Sequence, residues 1–210
     1  MKKIEVGTHN TNCYVFGERE GELMIIDPGS EPKRIMREVE FMGGQIVYIV
    51  NTHGHFDHIG GNEYIIKNSD AELMIHKNEA DFLTTPKKNL SHYLGMENVI
   101  SPEADHLLEE GEEIIVGNNV FRVILTPGHS PGGITLYNEK HKILFCGDAI
   151  FRNGIGRTDF PGCDSRKLKD SIHEKLLSLS GDTKVFPGHG QKTTIEEFKV
   201  NTWKKVLLNG

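Results

Sequence analysis

Ile46-Val47-Tyr48-Ile49-Val50-Asn51 runs directly into Thr52-His53-Gly54-His55-Phe56-Asp57-His58, so an apolar segment ends in four metal-ligand side chains within six positions. The apolar run is continuous rather than alternating. That pattern predicts a strand buried on both faces, as in a layered α/β fold. His53 and His55 are two apart, so on an extended segment both project to the same side and can grip one ion together. The chain must then turn, and Asp57-His58 follows where a helix can begin. An aspartate at a helix start is held by backbone N–H groups and by the dipole. His58 then points from a different direction, which suits a second ion close to the first.

Three more ligand-type residues lie downstream: His129 in Thr126-Pro127-Gly128-His129-Ser130-Pro131, Asp148 in Cys146-Gly147-Asp148-Ala149, and His189 in Phe186-Pro187-Gly188-His189-Gly190. Each stands where an apolar strand gives way to glycine, so each is expected at a strand end along one rim of a sheet. His129 would complete the nitrogen ligands of the first ion and His189 those of the second. Asp148, with two oxygens to share, would bridge. Two ions roughly 3.5–4 Å apart lower the pKa of a shared water and polarise a substrate carbonyl, which makes a metal-dependent hydrolase the leading expectation. Asp57 would orient the nucleophile as well as bind metal. Imidazole and carboxylate donors suit zinc, and iron or manganese fit the same set. Asp27, in the turn Asp27-Pro28-Gly29, reads either as a turn residue or as a support for a ligand histidine. The remaining histidines, His9, His76, His92, His106, His141 and His173, read as surface or core residues.

Around these motifs the chain alternates strands and helices. Strands are expected at Ile4–Val6, Cys13–Phe16, Leu23–Ile26, Ala71–Ile75, Ile114–Val116, Val120–Leu125, Ile134–Tyr137, Ile143–Phe145 and Val185–Phe186. Ser30 is placed to cap a helix that starts at Glu31-Pro32 and runs to Phe41-Met42 before Gly43-Gly44. Further helices are expected over Ile59–Ile66, over Ser165–Leu179, and from about Thr194. Residues 84–103, with Pro86, Gly95 and Pro102, read as a long loop, and long loops often act as lids. Two β-rich halves with helices outside suggest an αββα sandwich.

Composition narrows the function classes. The 210 residues are read as one domain, 1–210, with 37% apolar and 26% charged content typical of a globular protein. A net charge of −6 argues against a general nucleic-acid or membrane-surface binder. No stretch approaches the roughly 20 apolar residues that span a bilayer, and Met1-Lys2-Lys3-Ile4-Glu5 lacks the apolar run of a secretory signal. Cys13, Cys146 and Cys163 form no C-x-x-C motif and read as reduced thiols of a cytoplasmic protein. On a strand Cys146 would share a face with Asp148, which would put it beside the metals.

The pattern T-H-x-H-x-D-H, then P-G-H-S-P-G, G-D and P-G-H-G, resembles the metallo-β-lactamase superfamily over nearly the whole chain. The resemblance implies a four-layer αββα sandwich with two divalent ions, most often zinc, at one edge. It implies His53, His55 and His129 on the first ion, Asp57, His58 and His189 on the second, and Asp148 bridging. The main class of zinc β-lactamases has a cysteine in place of Asp148, so penicillin-type hydrolysis is not expected. Gly147-Asp148-Ala149-Ile150-Phe151 and Gly154-Ile155-Gly156-Arg157-Thr158-Asp159-Phe160-Pro161-Gly162 are similar to the glyoxalase II branch, the hydroxyacylglutathione hydrolases. Those enzymes hydrolyse S-acylglutathione thioesters such as S-D-lactoylglutathione. Arg157 stands where that branch places a basic residue against glutathione, and an exposed arginine suits a carboxylate. Its full-length members carry a C-terminal helical glutathione-binding domain, whereas 21 residues follow His189 here, and Asp159 and Gln191 replace two glutathione-contacting tyrosines. The chain therefore resembles the short hydrolases of the branch.

Three other readings remain open on the same residues. A persulfide dioxygenase of the same fold uses a single iron on two histidines and one aspartate, and also carries the G-R-T-D-F segment found at Gly156–Phe160. A lactonase or phosphodiesterase could use the same site. A catalytically inactive binding module would need a broken ligand set, and none is broken. The expected partner is a small-molecule thioester, with neither nucleic acid nor membrane, and the oligomeric state is left open.

Overall fold

The computed structural model describes residues 1–94 and 97–208; Gly95, within the loop expected over 84–103, lies outside them. The chain divides into two compact units, Met1–Leu108 with Ile115–Asn119, and Glu109–Ile114 with Val120–Gly210.

In the first unit the Val- and Ile-rich runs pair into a six-stranded sheet in the order β1 (Lys2–Val6), β2 (Thr11–Gly17), β3 (Glu22–Ile26), β4 (Gln45–Asn51), β5 (Glu72–His76) and β6 (His106–Leu108). From β3 to β6 the pairing is parallel. The carboxyl ends of β3, β4 and β5 therefore point one way, towards the turn at Asp27, the histidine cluster and the segment after His76. Helix α1 (Pro32–Met42) buries Ile35, Val39 and Met42, one stripe at helical spacing, and these join Leu23, Ile25, Ile49 and Leu73 in one core. Ser30 does not cap this helix. Glu31 holds the cap position with a positive φ of 50° and no side-chain cap bond, and its carboxylate accepts from the Gly7 amide instead.

The single helix expected over 59–66 is two short ones, α2 (Phe56–Ile59) and α3 (Asn62–Ile66). Gly60 and Gly61 explain the break. They lie against the backbone of Pro28 and Gly29, where any Cβ would collide with those carbonyl oxygens, and the Gly61 amide donates to Pro28 O. The Asp27 turn and the histidine segment are thereby fastened together. Helix α4 (Ala80–Thr84) and strand β6 carry no strong pattern in the sequence. The loop after α4 is pinned: buried Asn89 donates to the carbonyls of Phe82 and Val99 and accepts from Ser91.

A second six-stranded sheet has the order β14-β13-β10-β9-β8-β7. Its strands are β7 (Glu113–Val116), β8 (Asn119–Leu125), β9 (Ile134–Asn138), β10 (Ile143–Gly147), β13 (Lys184–Pro187) and β14 (Thr193–Thr194), and β11 (Ile150–Phe151) pairs separately with β12 (Gly154–Ile155). Helix α5 (Ser165–Ser171) starts at Asp164, whose side chain accepts from the Lys167 amide, and widens into a π-helical turn over Ile172–Leu176. The last stretch runs through α6 (Ile195–Phe198), a second π-helical turn at Lys199–Trp203, and α7 (Lys204–Leu208). Leu168, Ile172, Leu176, Phe198 and Trp203 from these helices pack with Leu144, Cys146 and Val185 of the strands. Among the described residues, no helix is long and apolar enough to cross a membrane.

Candidate metal centre

In the first unit the ligand-type residues gather at the carboxyl ends of parallel strands. The ring nitrogens His53 Nε2 and His55 Nδ1 converge to 3.0 Å, with the rings nearly perpendicular at 82°. His53 and His58 have ring centroids 4.1 Å apart, and His58 Nε2 stands 3.7 Å from Asp57 Oδ2. All three imidazoles are buried. Asp57 lies in the first turn of α2 as expected, and the Thr11 hydroxyl donates to its Oδ2 across 3.0 Å.

Asp27 is tied to the histidine segment. Its carboxylate, buried at 1% exposure, accepts from the Thr52 amide at 2.8 Å and the Thr52 hydroxyl at 2.7 Å, and His58 Nδ1 stands 2.9 Å from its Oδ2. The Thr52 hydroxyl has already donated to Asp27, so it accepts from His53 Nδ1, 3.2 Å away, and His53 Nε2 keeps a lone pair. Asp27 thus contacts the histidine segment as well as forming the turn.

In the second unit the parallel pairing of β10 with β13 aligns Gly147 with Pro187, and the Gly188 amide donates to Gly147 O at 2.8 Å. Asp148 and His189 follow directly from that register. Asp148 Oδ2 lies 3.4 Å from His189 Nε2 and 3.6 Å from His129 Nε2. His129 Nδ1 lies 2.8 Å from the Arg157 carbonyl, which can only accept, so here too Nε2 is left with its lone pair. Gly156 makes this possible: a Cβ at that position would strike the His129 ring and the Asp148 carbonyl.

The donor sets fit divalent ions. Separations of 3.4, 3.6 and 3.7 Å between imidazole nitrogen and carboxylate oxygen exceed good hydrogen-bond lengths. Two ligand atoms each about 2.1 Å from one tetrahedral ion stand about 3.4 Å apart, which matches. His53, His55, Asp57 and His58 of the first unit, and His129, Asp148 and His189 of the second, are residues able to hold metal.

Two expectations change. Cys146 lies on β10, but Asp148 falls past the end of that strand in a turn, so strand alternation does not relate the two. Its thiol lies in the core and donates to the Ile150 carbonyl at 3.2 Å. Arg157 is exposed, as expected, but its guanidinium is already engaged: Nε and Nη2 donate to both oxygens of Asp159 at 2.9 and 2.7 Å, and it lies over the Phe160 ring at 4.5 Å. That hydrogen-bonded pair raises the Arg157 pKa and lowers that of the Asp159 carboxyl. The sequence reading also missed Thr11, Thr52 and Glu79. Glu79 is fully buried and accepts from the Gly54 amide at 2.9 Å, bracing the turn between His53 and His55. A buried glutamate just after strand β5 carries no motif of its own.

The model of the metallo-beta-lactamase superfamily matches residues 6–189, a span that contains all seven ligand-type residues. The chain is 33% identical over 197 residues to the hydroxyacylglutathione hydrolase GloC of Haemophilus influenzae, covering 93% of each protein. It is 32% identical to the human mitochondrial persulfide dioxygenase ETHE1, over 89% of this chain and 68% of that protein. Among solved structures, the B3 metallo-beta-lactamase BLEG-1 superposes with a TM-score of 0.90 at 36% identity, over 94% of this chain and 95% of that one. TTHA1623 in a di-iron-bound form gives a TM-score of 0.87 at 31% identity, over 96% and 98%. With that match across both units, and with the ligand motifs in place, this chain belongs to the metallo-beta-lactamase superfamily.

Proposed function

We propose that this protein is a dinuclear metallohydrolase that cleaves small-molecule thioesters of the S-acylglutathione type. The observation that carries the reading is Asp148, whose one carboxylate oxygen is flanked by His129 Nε2 and His189 Nε2 at 3.6 and 3.4 Å, as a bridging ligand requires. The ligand assignment is the one the resemblance implies: His53, His55 and His129 on one ion, Asp57, His58 and His189 on the other, and Asp148 shared. The di-iron form of TTHA1623 supports two ions, and the named activity of GloC supports a thioester. Zinc is the metal we infer, with iron or manganese accepted by the same donors. The cytoplasm is the compartment we infer, since none of the three cysteines forms a disulfide.

When bound, the ions lower the pKa of water towards neutrality and polarise the substrate carbonyl. The chain's own groups supply orientation. Asp57, steadied by the Thr11 hydroxyl at 3.0 Å, offers a carboxylate oxygen to orient the attacking water. The Arg157 carbonyl holds the proton on Nδ1 of His129, and Asp27, through the Thr52 hydroxyl, that on Nδ1 of His53, so that Nε2 of each can coordinate. A thiolate with a pKa near 8.5 leaves without a strong general acid. Arg157, on the exposed rim, is the group suited to a carboxylate of the thiol portion.

The test is hydrolysis of S-D-lactoylglutathione by zinc-loaded protein, beside Asp148→Asn and beside a β-lactam. Thioester turnover that Asp148→Asn abolishes supports the reading, whereas β-lactam turnover in its place overturns it. The similarity to ETHE1 favours one second reading, a mononuclear iron persulfide dioxygenase. That enzyme would consume oxygen with glutathione persulfide and leave the thioester intact.

A further inference from the structure

We propose that the second unit carries a binding site for a multiply charged oxyanion, such as a phosphate group, borne by a small molecule. The site is a cavity of about 560 Å³ walled by α5, the C-terminal helical stretch and residues 153–158. That volume falls within the roughly 300–1,000 Å³ usual for small-ligand sites. Three cationic side chains line it, Lys169 of α5, Lys205 of α7 and Arg157, and among the described residues no carboxylate does. A chain of net charge −6 therefore gathers positive charge at one concave surface.

The lining also sets the class of ligand. Arg157 is held in its two-pronged pair with Asp159, so the lysines carry the free positive potential of the cavity. Lys169 is half-buried and Lys205 exposed, and they belong to different helices. A lysine ammonium acts as a compact point charge, and two of them facing one cavity suit a dianion better than a single carboxylate. Asn201 and Thr158 add neutral hydrogen-bonding groups to the same wall. None of the ligand-type residues lines the cavity, but two residues that do line it touch His129. Gly156 and Arg157 line it, and the Arg157 carbonyl is the group that fixes His129 Nδ1 at 2.8 Å. A bound anion would therefore lie against the segment that positions a ligand histidine.

The proposal does not depend on which substrate is hydrolysed, and its test reads binding. Sulfate, a dianion that coordinates zinc weakly, is titrated into the metal-loaded full chain by calorimetry, for the native protein and for Lys169→Gln/Lys205→Gln. Saturable binding that weakens roughly tenfold for each lysine removed is the expected result. Lys169→Arg/Lys205→Arg, with charge kept, is expected to retain the site, and Lys205→Gln alone serves should the double variant fold poorly. An absence of saturable binding to the native protein, or equal affinity in the native and lysine-to-glutamine chains, overturns the proposal. Competition between sulfate and an anionic thioester would identify the substrate's own tail as the ligand source. Binding without competition would identify a separate small molecule.

Discussion

Asp27 Oδ2 stands 2.9 Å from His58 Nδ1 and, through the Thr52 hydroxyl 2.7 Å away, sets the proton on His53 Nδ1. One carboxylate at the end of β3 thus acts on two histidines of the next segment. Substitution by asparagine separates this role from the turn. Asparagine tolerates the positive φ of 51° at this position and keeps one oxygen for the Thr52 amide. Its neutral amide, however, removes the negative charge 2.9 Å from His58 Nδ1. Asp27→Asn is therefore expected to lower metal affinity about 10- to 100-fold with the fold retained, as for other partners of ligand histidines. Chelator competition with circular dichroism checks it, and native affinity would remove Asp27 from this role.

Asp148→Asn tests the bridge. An amide offers one neutral oxygen where the carboxylate offers two sharing a negative charge. The residue lies in a turn fixed by the β10–β13 register rather than by its own side chain, so the fold should persist. Turnover is expected to drop at least about a hundredfold, beyond the loss usual for an outer partner. Near-native turnover with full metal content would end the bridging assignment.

Much of this candidate site was legible because its ligand-type residues sit where strands end. Apolar run followed by glycine and a ligand residue is a one-dimensional pattern, and it located His129, Asp148 and His189 as well as the first cluster. Partners brought in by the backbone left no such trace. The Arg157 carbonyl that fixes His129 belongs to no side chain, and Thr11 reaches Asp57 from 46 residues away. The broken helix at Gly60-Gly61 misled for the same reason, since the close approach of Pro28 and Gly29 is a tertiary fact. Cys146 misled because strand alternation was carried past the end of β10 into a turn.

The Arg157–Asp159 pair gives opposite expectations for its two members. Arg157→Ala should raise KM for an anionic thioester about three- to tenfold with a smaller change in kcat, the mark of lost uniform binding. Asp159→Asn frees the guanidinium and should lower the same KM about twofold, a small effect because the pair is exposed. Steady-state kinetics with an anionic and a neutral thioester decide it. An effect of equal size on both substrates would take Arg157 out of substrate binding.

Thiol reactivity should single out Cys163. Burial, and secondarily the Asp27 carboxylate, push the Cys13 thiol well above its usual range, and Cys146 is 1% exposed. Since the thiolate is the reactive form, both should resist alkylation at neutral pH. Cys163 is half-buried, with its thiol donating to the His129 carbonyl at 2.8 Å. Mass spectrometry after brief iodoacetamide treatment should find one modified cysteine in the native chain and three in denaturant, and rapid labelling of Cys13 would contradict the packing around β2.

Metal content separates the two enzyme readings before any substrate is chosen. Seven ligand residues, with His129 and His189 on either side of Asp148, predict about two ions per chain in protein purified without added metal. Zinc or a zinc–iron mixture at that ratio supports the hydrolase, and dialysis against a chelator should then abolish thioester turnover, with readdition of zinc restoring it. A single iron per chain, together with oxygen uptake on glutathione persulfide, would instead establish the dioxygenase. In that case the remaining ligand-type residues would act as hydrogen-bonding groups around one ion, and Asp148→Asn should leave the iron content unchanged if Asp148 is not among its ligands.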